Sequence, residues 1–157
     1  MRSLRELYRI GRGPSSSHTM GPVRAAEIFL RENADADSFR AVLNGSLART
    51  GRGHLTDRAV ISTLGAGRTE VVFDTQRKDL PHPNTMELFA FKNGEQTAEM
   101  TVLSVGGGAI RILGRPETEA PEVYPENSFA EIAAFCHKHR LRLSDYVLER
   151  EGAEIFD

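Results

Sequence analysis

Apolar residues recur along this chain with two periods, and the switches between them lay out its elements. Val23, Ala26, Phe29 and Leu30 fall at helical spacing behind Pro22, a residue suited to a first helical turn, so a helix runs as far as the polar stretch 31–37. Phe39, Ala41 and Leu43 then alternate with Arg40, Val42 and Asn44, the period of a half-buried strand, and the pattern breaks at Gly45-Ser46-Leu47-Ala48. Ala59, Val60 and Leu64 predict a second helix closed by Gly65 and Gly67, and Thr69 to Phe73 reads as a second strand. Beyond a polar, proline-bearing connection over 74–84, Met86, Leu88 and Ala90 line one face of a strand and Phe89 and Phe91 the other. Asn93-Gly94 is a two-residue hairpin signal, with a return strand from Glu99 to Val105. Gly106-Gly107-Gly108 interrupts that arm, and a strand-like stretch resumes from Ala109 to Leu113.

The last part reads differently. A surface linker rich in Pro and Glu spans Arg115 to Pro125, after which Ser128 with Glu131 forms a capping box. Phe129, Ile132, Ala133 and Cys136 share one stripe, so residues 128–139 are predicted to form a helix docked on the sheet, followed by a short helix starting at the cap Ser144. The chain carries neither internal repeats nor low-complexity segments. The expected class is α+β, with a mixed, partly antiparallel sheet and helices packed on it, in a single domain over 1–157.

Charge excludes some functions. Twenty basic and 22 acidic residues leave a net charge of −2, too little to gather nucleic acid or a membrane surface. No run of about 18 apolar residues exists and the N-terminus lacks a signal-peptide layout, so the expected compartment is the cytoplasm. The lysines Lys78, Lys92 and Lys138 fall in a polar loop, a hairpin turn and a helix end, which argues against Schiff-base chemistry. Cys136 is the only cysteine, so neither a disulfide framework nor a cysteine-held cluster can be built from this chain alone; its place on an apolar stripe predicts a small core residue.

Four segments carry candidate chemistry. Arg12-Gly13-Pro14-Ser15-Ser16-Ser17-His18-Thr19-Met20-Gly21-Pro22 sets four hydroxyls and an imidazole between two Gly-Pro pairs, directly before a helix whose first free N–H groups suit an anion such as a carboxylate. Thr50-Gly51-Arg52-Gly53-His54-Leu55-Thr56-Asp57 again brings glycines, a histidine and polar groups to a helix start, where Thr56 or Asp57 could equally serve as a simple cap. His82-Pro83-Asn84-Thr85-Met86 opens a strand, and Ser104-Val105-Gly106-Gly107-Gly108 closes one. His18, His54 and His82 lie in Gly- or Pro-bounded loops, whereas His137 and His139 suit the C-terminal dipole of a helix. A metal site built from His18, His54, His82 and Asp57 is an alternative that nothing in the spacing demands, and no metal ligand is assigned.

Taken together, these four segments and Gly45-Ser46-Leu47-Ala48 resemble the β domain of the iron–sulfur-dependent L-serine dehydratases. The likeness runs from the N-terminal Arg-Glu-Leu-Tyr-Arg-Ile-Gly-Arg-Gly-Pro to the closing Leu148-Glu149-Arg150-Glu151, with one departure at Leu55, where the family more often shows glycine. The resemblance implies elimination of water from L-serine to aminoacrylate, which decays to pyruvate and ammonia. It implies a [4Fe–4S] cluster held by the cysteines of an α domain or α subunit and not by this chain, which would be inactive alone. It also implies a fold similar to the allosteric substrate-binding domain of phosphoglycerate dehydrogenases. Carried over by residue, Ser15, Ser16, Ser17, His18 and Thr19 would wall the substrate pocket. His54, Thr56, Asp57, Asn84 and Ser104 would bond the substrate's carboxylate and amine, with His18 and His54 as proton-handling groups. The implied partners are the α component and L-serine, with a homodimer left open. A reading of another class is a stand-alone regulatory domain that binds serine or a hydroxy acid without chemistry.

Overall fold

A computed structural model describes residues 1–6, 10–116 and 122–156. They form two compact units, Ile10–Glu117 and, from both ends of the chain, Met1–Arg9 with Thr118–Asp157. The middle of the expected 115–125 linker, residues 117–121, lies outside the described residues.

The larger unit is a five-stranded mixed sheet with helices on it, the α+β class expected. Helix α1 (Gly21–Glu32) leads to β1 (Ser38–Asn44), short α2 (Gly45–Thr50), α3 (Thr56–Leu64), β2 (Thr69–Asp74), β3 (Thr85–Lys92), β4 (Glu95–Gly106) and β5 (Ala109–Ile112). The strand order is β2-β1-β3-β4-β5. Only the β1–β2 pair is parallel, because α2 and α3 form the crossover between them; the other three pairs are antiparallel.

Period-2 patterning settles which face is buried. Phe39, Ala41, Leu43, Met86, Leu88, Ala90, Met100 and Val102 point to one side and meet Ala25, Ala26 and Phe29 of α1 and Val60 and Leu64 of α3 in one cluster. Phe29 and Phe39 meet edge-on, with ring centroids 6.1 Å apart. Asn44, which the alternation put on the open face, is fully buried and donates from Nδ2 to Glu87 Oε2 at 3.0 Å.

Three elements differ from the expected layout. Helix α2 occupies Gly45-Ser46-Leu47-Ala48, read in the sequence as a break. Strand β4 starts at Glu95, directly after the Asn93-Gly94 turn, four residues before the expected Glu99. Gly107 and Gly108, with φ of 57° and 74°, form a tight turn that reverses the chain, so Ala109–Ile112 returns alongside β4 as a further strand instead of resuming its arm.

In the smaller unit, α4 (Phe129–His139) starts at the expected cap, Ser128 Oγ accepting from Glu131 N–H at 3.2 Å. Its last turn carries His137 and His139. Phe135, which lies outside the predicted stripe, packs edge-on to Tyr146 of α5 (Leu143–Glu151) with centroids 5.5 Å apart, beneath the Arg150 guanidinium, while Phe129 of the stripe is exposed. Cys136 is half-buried. The cap of α5 is Arg142, whose N–H bonds Asp145 Oδ2 at 3.0 Å, and not Ser144. Among the described residues no helix is long and apolar enough to cross a membrane.

Candidate functional site

The first motif is helical where the sequence suggested a loop. Ser16–Met20 forms one π-helical turn that runs straight into α1, and Ser15 caps it. Ser15 Oγ accepts from His18 N–H at 3.1 Å, and Ser15 O accepts from Thr19 N–H and Met20 N–H at 3.1 and 3.0 Å. The Ser15 hydroxyl is therefore engaged within the backbone. Single π turns arise where a helix is distorted to aim side chains, and here the turn presents Ser17, His18 and Thr19 in succession.

His18 lies between two hydroxyls. Its Nδ1 is 3.0 Å from Ser17 Oγ and its Nε2 is 3.1 Å from Ser46 Oγ on α2. The second motif delivers His54 against it, with ring centroids 4.6 Å apart and planes tilted by 32°. His54 Nδ1 is 2.9 Å from the carbonyl oxygen of Thr50. A carbonyl only accepts, so Nδ1 carries the proton and the free lone pair of the neutral ring is on Nε2. Burial lowers the pKa of His18 below its ordinary value, and repulsion from His54 lowers it further.

Two threonines fix the segments that bear these rings. Thr19 Oγ1 donates to the carbonyl of His54, and Thr56 Oγ1 to the carbonyl of His18. Thr56 is thus not the cap of α3; the cap is Leu55, held in the left-handed region at φ 56° with no side-chain capping bond. Asp57 is half-buried in the first turn of α3.

The third and fourth motifs meet at the same end of the sheet. Asn84 and Ser104 are bonded through Ser104 N–H to Asn84 O at 2.9 Å and Asn84 Nδ2 to Ser104 O at 3.4 Å. Asn84 N–H donates to His82 Nδ1 at 3.0 Å, fixing the loop before β3 and leaving the His82 proton on Nε2. Pro83 O accepts from Ser46 N–H at 2.7 Å, which ties this loop to the start of α2. Ser104 lies against Gly21, where a Cβ would sit 2.2 Å from Ser104 Oγ. Ser104 Oγ and Asn84 Oδ1 are buried and without a hydrogen-bond partner in the structure.

All four motifs therefore join through direct contacts around the C-terminal ends of β1 and β4 and the start of β3. Ser15, Thr19 and Thr56 are committed to holding the backbone, and Ser16 is exposed. Ser17, His18, His54, Asp57, Asn84 and Ser104 carry the remaining polar groups. Ser46 was missed as a site residue; its signal was only its place in a Gly-Ser-Leu-Ala segment one helical turn before Thr50. No group of three or more His, Cys, Asp or Glu that could hold a metal gathers among the described residues.

Comparison with known proteins matches residues 3–72 to the serine dehydratase beta chain family. The chain is similar to L-serine dehydratase 1 of Escherichia coli, 31% identical over 98% of this chain and 44% of the relative. It is likewise similar to the L-serine dehydratase of Streptomyces coelicolor, 31% identical over 96% of this chain and 44% of that protein. With the L-serine dehydratase of Mycobacterium bovis the identity is 35% over 95% of this chain and 42% of the relative. The chain thus spans less than half the length of the curated relatives it matches.

Proposed function

We infer that the chain is the β component of an L-serine dehydratase, a reading supported by the match of residues 3–72 to the serine dehydratase beta chain family. It acts with an α component that its relatives, at more than twice the aligned share, leave room for. The observation that supports this reading is the His18–His54 pair held by Thr19 and Thr56, with the Asn84 and Ser104 segments joined to it through Ser46 and Gly21.

In the reaction, L-serine loses its α-hydrogen as a proton and its β-hydroxyl as hydroxide, together one water, to give aminoacrylate, which tautomerises and hydrolyses to pyruvate and ammonia. His54 is suited to take the α-proton, because the Thr50 carbonyl keeps its Nδ1 protonated and Nε2 basic. His18, whose pKa is lowered by burial and then by its neighbour, lies against it, which favours the uncharged His18 ring beside His54. Ser17 and Ser104 offer hydroxyls, and the first N–H groups of the helical run from Ser16 offer donors, to the substrate carboxylate. The unpartnered Asn84 Oδ1 and the Asp57 carboxylate offer acceptors to its ammonium.

The residues of this chain do not fit a [4Fe–4S] cluster. Cys136 is its only cysteine, and the described residues gather no cluster of metal-binding side chains. On this reading an iron–sulfur group belongs to the α component.

Anaerobic reconstitution with a cluster-bearing α half tests the reading by pyruvate release from L-serine. Turnover that disappears in His54→Ala supports it. Serine binding by the chain alone in calorimetry, with no pyruvate from the reconstituted pair, replaces it with a regulatory binding domain.

A further inference from the structure

Helix α2 touches both imidazoles from a single turn. Ser46, near its start, sets Oγ 3.1 Å from His18 Nε2, and Thr50, at its end, sets its carbonyl oxygen 2.9 Å from His54 Nδ1. The two positions are one turn apart, and Thr50 Oγ1 bonds the Ser46 carbonyl at 2.9 Å, locking the spacing.

The position of Ser46 is itself over-determined. Gly45 turns the chain from β1 into α2 at φ +58°, and a Cβ there would meet Pro83 O at 2.5 Å. The same Pro83 oxygen receives Ser46 N–H at 2.7 Å. The loop before β3 thus sets the start of α2, and the start of α2 sets a hydroxyl on one nitrogen of His18. Ser17 Oγ occupies the other nitrogen, so the ring has a partner at each end.

An imidazole ring pivots about its Cβ–Cγ bond and exchanges its proton between two nitrogens unless both are held. Ser17, one residue from His18, moves with the ring's own turn and cannot alone fix its direction. Ser46 is 28 residues distant in sequence and comes from a different element.

We propose that Ser46 is a positioning residue for His18: its hydroxyl, set in place by the bond from Ser46 N–H to Pro83 O, holds the ring against His54 in one tautomer. It acts through His18 and is not itself a catalytic residue. The inference deepens the dehydratase reading and rests on it only for its catalytic meaning, since the state of the ring can be read without turnover. His54 is the titratable group that faces the His18 ring.

The test is histidine ring 15N NMR of the full chain, above and through the titration of His18. In the unsubstituted chain His18 should show one dominant tautomer and His54 the Nδ1-protonated form. In Ser46→Ala the His18 signals should move to the averaged values of a free imidazole and its titration should shift, while His54 stays in its tautomer. Ser46→Thr, which keeps the hydroxyl, should restore the original His18 signals. Ser46 is half-buried, so truncation to alanine on a helix is compatible with folding, checked by unchanged amide dispersion. An averaged tautomer for His18 in the unsubstituted chain overturns the proposal without any variant. Unmoved His18 signals in Ser46→Ala overturn it as well. Neither outcome depends on whether the assembled protein dehydrates serine.

Discussion

Thr19 and Thr56 tie down each other's neighbouring histidine. Thr19 Oγ1 donates to the His54 carbonyl at 2.9 Å, and Thr56 Oγ1 to the His18 carbonyl at 2.5 Å. Both threonines are almost fully buried, at 1% and 0% exposure. The 4.6 Å stacking of the imidazoles is thus imposed by main-chain tethers between the π-helical turn and the loop before α3. Two rings that repel when charged are brought together by groups that cannot titrate.

Removing one tether should be costly. Thr56→Val has nearly the same shape but strips the donor from the His18 carbonyl, and an unmet buried acceptor costs about 1–3 kcal/mol. The urea midpoint should fall by a corresponding amount, and Thr56→Ser should recover most of the loss. A valine variant as stable as the parent would show that the tether adds nothing.

Ser104 and Gly21 share one volume. A Cβ on Gly21 would lie 2.2 Å from Ser104 Oγ, so Gly21→Ala should destabilise by roughly 1–3 kcal/mol, as overpacked cores do. Ser104→Ala deletes that atom, and the double variant should recover at least about 0.5 kcal/mol relative to additivity. Ser104→Ala alone removes a buried hydroxyl that has no partner, so stability should hold or rise. If Ser104 contacts the substrate, serine affinity of the assembled enzyme should fall at the same time. A variant that loses stability but not affinity would make Ser104 a packing residue.

Much of this arrangement is written in local pattern. The strands β1 and β3 were legible because one face is buried, so Phe39, Ala41, Leu43, Met86, Leu88 and Ala90 had to alternate. Helix α2 was not, because six residues opening on glycine carry too little periodicity to outweigh the break signal. The four motifs were visible through their residue types, yet the division of labour among hydroxyls was not. Whether Thr19 or Thr56 faces a ligand or a carbonyl depends on segments 35 and 38 residues away, and Ser46 reaches His18 across 28. The turn at Gly107-Gly108 was misread because three glycines mark a departure from the strand without stating whether the chain continues or reverses.

Leu55 holds a left-handed conformation at φ 56° and is 44% exposed. For a non-glycine residue that backbone costs roughly 1–2 kcal/mol. Leu55→Gly relieves this strain, offset by about 0.5–1 kcal/mol of extra backbone entropy in the unfolded chain. The expected result is a thermal midpoint unchanged or raised by a few degrees, whereas Leu55→Ala, still strained, should give no gain. A marked drop for glycine would reveal packing by the leucine side chain that outweighs the strain.

His18 makes stability depend on pH in a defined direction. Burial and then His54 hold its folded pKa below the ordinary 6.5, so between those two values the unfolded chain binds more protons than the folded one. Stability from this group is complete above 6.5 and declines as pH falls through that window. Urea midpoints measured between pH 7.5 and about 5 should therefore fall, and His18→Gln should flatten the slope. An identical slope in the glutamine variant would assign the dependence to other groups.

Glu151 gives a pH dependence of the same sign in the smaller unit. Its carboxylate accepts from Ser3 Oγ at 2.6 Å, Leu4 N–H at 2.7 Å and Tyr124 OH at 2.7 Å, joining the N-terminal segment to the end of α5. Burial acts to raise its pKa, but the bonds from Ser3, Tyr124 and Leu4, with the charge of Arg5, outweigh it and hold the group below its usual range. The same environment raises the Tyr124 hydroxyl well above its ordinary pKa, first by desolvation and then by bonding to Glu151, so the tyrosine remains the donor at every physiological pH. Because the folded pKa of Glu151 is depressed, its contribution is present above the unfolded carboxyl value and is lost as pH falls through the folded one. Glu151→Gln replaces one carboxylate oxygen by an NH2 donor, which cannot accept from the group facing it, and should cost about 1–2 kcal/mol locally. Amide hydrogen exchange should rise along 143–151 and at residues 4 and 124 in that variant, with a matching rise in the unsubstituted chain on acidification. Exchange in these segments that is the same in both proteins would mean that the three hydrogen bonds contribute no net stability.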